Sequence, residues 1–88
     1  MTRDEIIKHI TDELEDELEG ICEYNKVYEA LTELKMHDEA DRIERIASEE
    51  YYHANILMDI LWMMNVDISH HAKIQDDWAK VKRIFDIE

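Results

Sequence analysis

What most limits the folds open to this chain is its near lack of helix breakers: 88 residues contain no proline and one glycine, Gly20. Tight β-turns draw on both residue types, whereas long helices exclude proline and are weakened by glycine, so the chain reads as helical with no sheet. Apolar residues then repeat with a helical period. Ile7, Ile10, Leu14, Leu18, Ile21, Tyr28 and Leu31 form one stripe, and Thr2-Arg3-Asp4-Glu5 ahead of it has the form of a capping box. A first helix is predicted from there to about Leu34. Lys35-Met36-His37 interrupts the pattern, and Asp38 with Asp41 marks a second helix, expected from about Glu39 to Asn65. A connection this short makes the two helices antiparallel. Asn65-Val66-Asp67-Ile68 is a break, after which Ser69 is expected to cap a shorter helix carrying Ile74, Trp78, Val81 and Phe85 on one side. The predicted architecture is all-α: a long antiparallel hairpin over 1–66 and a C-terminal helix over 67–88.

Charge narrows the partners. The net charge is −13, from ten Lys plus Arg against 23 Asp plus Glu spread along the chain, so nucleic acid is repelled. Cys22 has no second cysteine to pair with, which points to a reducing, cytoplasmic setting. The polar start offers no secretory signal, and Ile60-Leu61-Trp62-Met63-Met64 is too short to cross a bilayer. A chain of this length in two or three helices is marginally stable alone, so association with copies of itself is expected.

The sharpest functional signal is a conflict within the second apolar stripe. At about 100° per residue, Ile43, Ile46, Ala47, Ala54, Leu57, Leu61 and Met64 share a face, with Glu50 at its centre and His53 on its edge. An ionised carboxylate there is costly unless it is paired or bound to a metal. Glu50 and His53, three residues apart, can serve one ion. In the first helix Glu17 lies about 40° from the stripe centre, while Asp12, Glu15, Asp16 and Glu19 point away. Glu49 points about 110° from the stripe centre in its own helix and reads as solvated. At ~1.5 Å rise per residue, Glu17 and Glu50 sit roughly 7 Å apart in level along the hairpin. Gly20, one turn beyond Glu17, leaves space for a ligand, a metal or a close helix.

A four-helix bundle can hold two metal ions with one Glu from each of two helices and Glu-x-x-His from each of the other two. This chain supplies half of that set, and a two-fold homodimer of hairpins would complete it. Glu50 would bridge, with Glu17 and His53 as terminal ligands. Mixed carboxylate and imidazole donors suit iron, two ions per dimer, or manganese.

Glu17-Leu18-Glu19-Gly20-Ile21-Cys22-Glu23-Tyr24, followed by Glu50-Tyr51-Tyr52-His53-Ala54, resembles the metal-bearing helix pair of the ferritin-like superfamily. In its rubrerythrin branch a small residue and a tyrosine follow the ligand Glu three and seven positions on, here Gly20 and Tyr24. The architecture is most similar to encapsulated ferritins, whose short subunits complete a ferroxidase centre by dimerising. The resemblance covers about Asp12 to Met64. It implies a ferritin-like four-helix bundle, oxidation of Fe(II) to Fe(III) by dioxygen or peroxide at Glu17, Glu50 and His53, and Tyr24 as a hydrogen bonder behind the ligands. It also implies an encapsulin shell as a partner compartment, but Val81–Glu88 does not resemble a docking tail. A cysteine-rich rubredoxin module is absent as well.

The competing reading is a metal-free helical hairpin that dimerises through the same face. His9, His37, His70 and His71 lack carboxylates at matching core positions and read as surface histidines. Tyr51 and Tyr52 flank the site, facing either a bound oxidant or a packing surface. No nucleophile with an activating base and no phosphate-cradling glycine loop is present.

Overall fold

The computed structural model describes residues 1–87 and contains three helices: α1 (Arg3–Glu33), α2 (His37–Met63) and α3 (Ala72–Ile84). No strand occurs among the described residues, and no helix there is long and apolar enough to cross a membrane. α1 and α2 form the expected antiparallel hairpin, which gives the molecule its long dimension of 48 Å.

The first helix starts as the sequence predicts. Thr2 Oγ1 accepts from the Glu5 amide at 3.2 Å while its hydroxyl donates to Glu5 Oε1 at 3.1 Å, so residue and cap hold each other. The other ends are less conventional. Each helix stops at a left-handed residue that is not glycine: Lys35 (φ 60°), Asn65 (φ 60°) and Asp86 (φ 54°). In each case the amide of that residue and the next one fold back onto the last turn, as Lys35 N–H to Thr32 O at 3.0 Å and Met36 N–H to Leu31 O at 2.9 Å show. α2 begins at His37, two residues before the expected start, with no side-chain cap.

α3 is capped by His71, not by Ser69. Asp67 Oδ1 accepts the Ser69 amide at 2.8 Å and so builds a turn of its own. His71 Nδ1 accepts the Ile74 amide at 3.3 Å, and its Nε2 lies 2.8 Å from Glu15 Oε1 on α1.

The core sits where the three helices meet. Leu14, Leu18 and Ile21 of α1 are fully buried with Ala54 and Leu61 of α2 and Ile74 and Val81 of α3, and Ala40 and Ala47 of α2 are buried nearer the hairpin turn. The α2 set recurs every seven residues, and three of its four members are alanine, which lets the two long helices approach closely. α3 packs on α1 of the same chain. It reaches α2 through aromatic rings, Tyr51 stacking on Phe85 with centroids 4.8 Å apart and lying 6.1 Å from Trp78. Asp77, 8% exposed, is held by Lys73 at 3.1 Å and Lys80 at 3.9 Å.

The broad apolar stripe of α2 is split by this arrangement. Ala47, Ala54 and Leu61 meet α1, whereas Ile43, Leu57 and Met64 stay half-buried and Ile46 is exposed. The hairpin thus keeps one apolar face without cover in the single chain.

Candidate metal centre

Glu17, Glu50 and His53 converge on that uncovered face, each with one potential ligand atom within 4.8 Å of the others'. The two helices are offset, but a glutamate side chain is long enough to close the gap. His53 Nδ1 lies 3.8 Å from Glu17 Oε1, beyond hydrogen-bonding distance but within electrostatic reach. Ligand atoms on opposite sides of an ion with bonds of about 2 Å are about 4 Å apart. Small side-chain rotations therefore suffice to bring all three onto one ion.

The electrostatics of the cluster are unfavourable without a cation or a proton. Glu17 is largely buried, its side chain 18% exposed, and among the described residues its Oε2 has no hydrogen-bond partner. Burial first, and then the neighbouring Glu50 carboxyl, push the Glu17 carboxyl up from 4.5 to about 7. Glu13 and Asp16 add to the shift from further off. A buried acceptor beside a second carboxylate is relieved by a cation or by a proton held between the two carboxyls. Its donor set of two carboxylates and one imidazole fits iron or manganese.

Approach to the cluster is open. His53 keeps 54% of its side chain exposed, and an indentation of about 260 Å³ is lined by Glu13, Glu17, His53, Ile56 and Leu57. Gly20 borders the other carboxylate: a Cβ there would touch Glu50 Oε2 at 3.6 Å, an ordinary contact. Glycine leaves that oxygen free of a side-chain neighbour, although alanine would not clash.

The remaining acids and histidines separate clearly. Asp12, Asp16 and Glu49 are exposed, as their angles predict. Glu15 and Glu19 lie on the α3 side of α1, paired with His71 and with Lys73 at 3.6 Å. Two residues along a helix is about 200°, so Glu17 faces away from both. The Glu15–His71 pair escapes a reading of helical faces because its partners are distant in sequence. A carboxylate one helical turn from a core leucine was its only trace.

Tyr24 lines a cavity with Tyr28, Ala47 and Phe85. Tyr51 turns from the cluster into the aromatic stack, and Tyr52 is 67% exposed. Cys22 is half-buried and its thiol is pushed up by burial, consistent with a packing role. Neither a family model, nor a curated protein, nor a solved structure matches this chain.

Proposed function

We propose that this chain is a diiron oxidoreductase of ferroxidase type whose site is completed when two copies pair through the uncovered face of the α1–α2 hairpin. The observation that carries the reading is the convergence of Glu17, Glu50 and His53 around a buried carboxylate oxygen with no donor among the described residues. Apolar residues around it, among them Ile46, Ile56 and Leu57, support pairing by the same face.

In a two-fold dimer the second triad stands opposite the first, with Glu50 of each chain bridging and Glu17 and His53 as terminal ligands. Fe(II) is the substrate, giving up one electron per ion to dioxygen or peroxide. The carboxylates bind both oxidation states, and the half-exposed His53 leaves the cluster accessible to the oxidant. Manganese fits the same donors.

The test is anaerobic loading with Fe(II), followed by exposure to dioxygen or peroxide, with Glu50→Ala as control. Wild type is expected to take up iron and oxidise it, and the variant to do neither. Uptake no greater than background defeats the reading.

A second reading is a metal-free dimerisation module. It is favoured by the Glu17 carboxyl itself, which retains a proton up to about pH 7 and so can meet Glu50 without a cation. Dimers of equal strength in chelator and in Fe(II) would select it.

A further inference from the structure

The C-terminal half of α2 carries apolar residues on most of its circumference, with His53, Asn55 and Asp59 between them. Ala54 and Leu61 face α1, Tyr51 and Met58 join the core, Leu57 borders the open hairpin face, and Trp62 and Met63 remain 79% and 73% exposed. A tryptophan and a methionine exposed outside both packed faces call for cover of their own. A second hairpin on the open face would not reach Trp62. It follows His53 by nine residues and therefore lies on the opposite side of α2.

Trp62 instead forms one wall of a groove of about 640 Å³ at the α2–α3 junction, completed by Met58, Val66 and Ile68 and by two acids, Asp59 and Asp67. The loop that forms the far wall is pinned. Ser69 N–H donates to Asp67 Oδ1 at 2.8 Å, Gln75 Nε2 donates to Ile68 O at 2.9 Å, and Arg3 donates to Met64 O. The groove is thus formed in advance, so little ordering opposes binding. The ionisable side chains lining it are both carboxylates, and the hydrogen bonds from Ser69 hold Asp67 below its usual range.

A second copy of this chain is a poor occupant. At a net charge of −13 its copies repel one another wherever no cation lies between them, and none of the donors proposed for the hairpin face lines this groove. At the hairpin tip the exposed Leu34 and Met36 flank one cation, Lys35, which Glu33, Asp38 and Glu39 outnumber. α3 carries Lys73, Lys80, Lys82 and Arg83, but its Ile74 and Val81 are buried and its Trp78 and Ile84 pack against the core. A partner with more cations beside its apolar groups complements Asp59 and Asp67 better.

We propose that the α2–α3 groove docks a basic amphipathic helix of another protein, with its apolar face on Trp62, Met58 and Ile68 and its cations towards Asp59 and Asp67. This site is independent of the metal chemistry, since it shares no residue with the cluster.

The probes are helical peptides of about five turns with leucine at every third or fourth position and either lysine or glutamate elsewhere. Binding to wild type, Trp62→Ser and Asp59→Asn is measured by calorimetry at physiological ionic strength. Trp62 is so exposed that its replacement leaves the fold intact, which circular dichroism checks. The Leu/Lys peptide is expected to lose about tenfold in affinity to Trp62→Ser, as a buried tryptophan anchor would. A loss of about threefold is expected for Asp59→Asn. The Leu/Glu peptide is expected to bind neither variant nor wild type, and iron uptake is expected to be unchanged throughout. Equal affinity of the Leu/Lys peptide for wild type and Trp62→Ser would reduce the effect to general attraction by the acidic surface and overturn the proposal. So would equal binding of the Leu/Glu peptide, or self-association that Trp62→Ser abolishes.

Discussion

Glu17 illustrates how one side chain can be a burden to the fold and an asset to a site. Its carboxyl is raised from 4.5 to about 7 by burial and by Glu50, so the folded state holds a proton that the unfolded chain releases. Stability from this group is complete below about pH 4.5 and is lost as pH rises through 7. Glu17→Gln removes the penalty. Metal-free melts are expected to show a fall in wild-type stability from pH 4.5 to 7 that is shallower in the variant, with the variant ahead by roughly 1 kcal/mol at pH 8. Parallel pH curves would contradict the burial argument. The same proton competes with a cation, so Fe(II) affinity is expected to rise steeply with pH up to about 7. Anaerobic titrations at successive pH values check this, and pH-independent affinity would exclude Glu17 as a ligand. Gly20→Ala belongs here too. Its Cβ would rest against Glu50 Oε2 at 3.6 Å, an ordinary contact, so the helix is expected to gain up to about 1 kcal/mol in thermal melts with Fe(II) binding unchanged.

The helices themselves were largely legible in the sequence. Their number, order and antiparallel pairing follow from the 3.6-residue period and the lack of breakers, and the Thr2–Glu5 cap was readable as a motif. Their ends were not, because Lys35, Asn65 and Asp86 adopt left-handed backbones usually given to glycine, and no residue type announces that choice. The α3 cap was misplaced for a similar reason. Ser69 is the better cap by type, but the contact of His71 with Glu15 is a tertiary one. The convergence of Glu17, Glu50 and His53 was legible because a carboxylate within an apolar stripe is visible as a contradiction. The rotation of α1 and α2 against each other was not, since it depends on packing that neither helix displays alone. That rotation rests on the alanine seam. Ala54→Leu, at a fully buried position, is expected to destabilise the hairpin by about 1–3 kcal/mol and to reduce Fe(II) uptake by forcing Glu17 and Glu50 apart. A stable, fully metal-binding variant would show that close helix approach is not what assembles the cluster. Lys35→Gly, in contrast, is expected to raise the melting temperature by relieving about 1 kcal/mol of backbone strain.

At the level of the whole molecule, three helices leave more apolar surface than they can cover. α3 shields one side of the α1–α2 pair, and the other side, carrying Glu17, Glu50 and His53, has no cover in the single chain. A high negative charge opposes pairing of copies, so cations at the shared face would favour it twice, by ligation and by neutralisation. Ile56→Glu, which adds charge beside the cluster at a 40% exposed position, is expected to keep the helical fold and prevent dimers. The most direct measurement is anaerobic sedimentation of wild type and Glu50→Ala with increasing Fe(II). Wild type is expected to shift to dimers that saturate at two iron ions each, and Glu50→Ala to bind no iron and show no shift. Iron binding by monomers, or a shift that survives Glu50→Ala, would contradict a shared site.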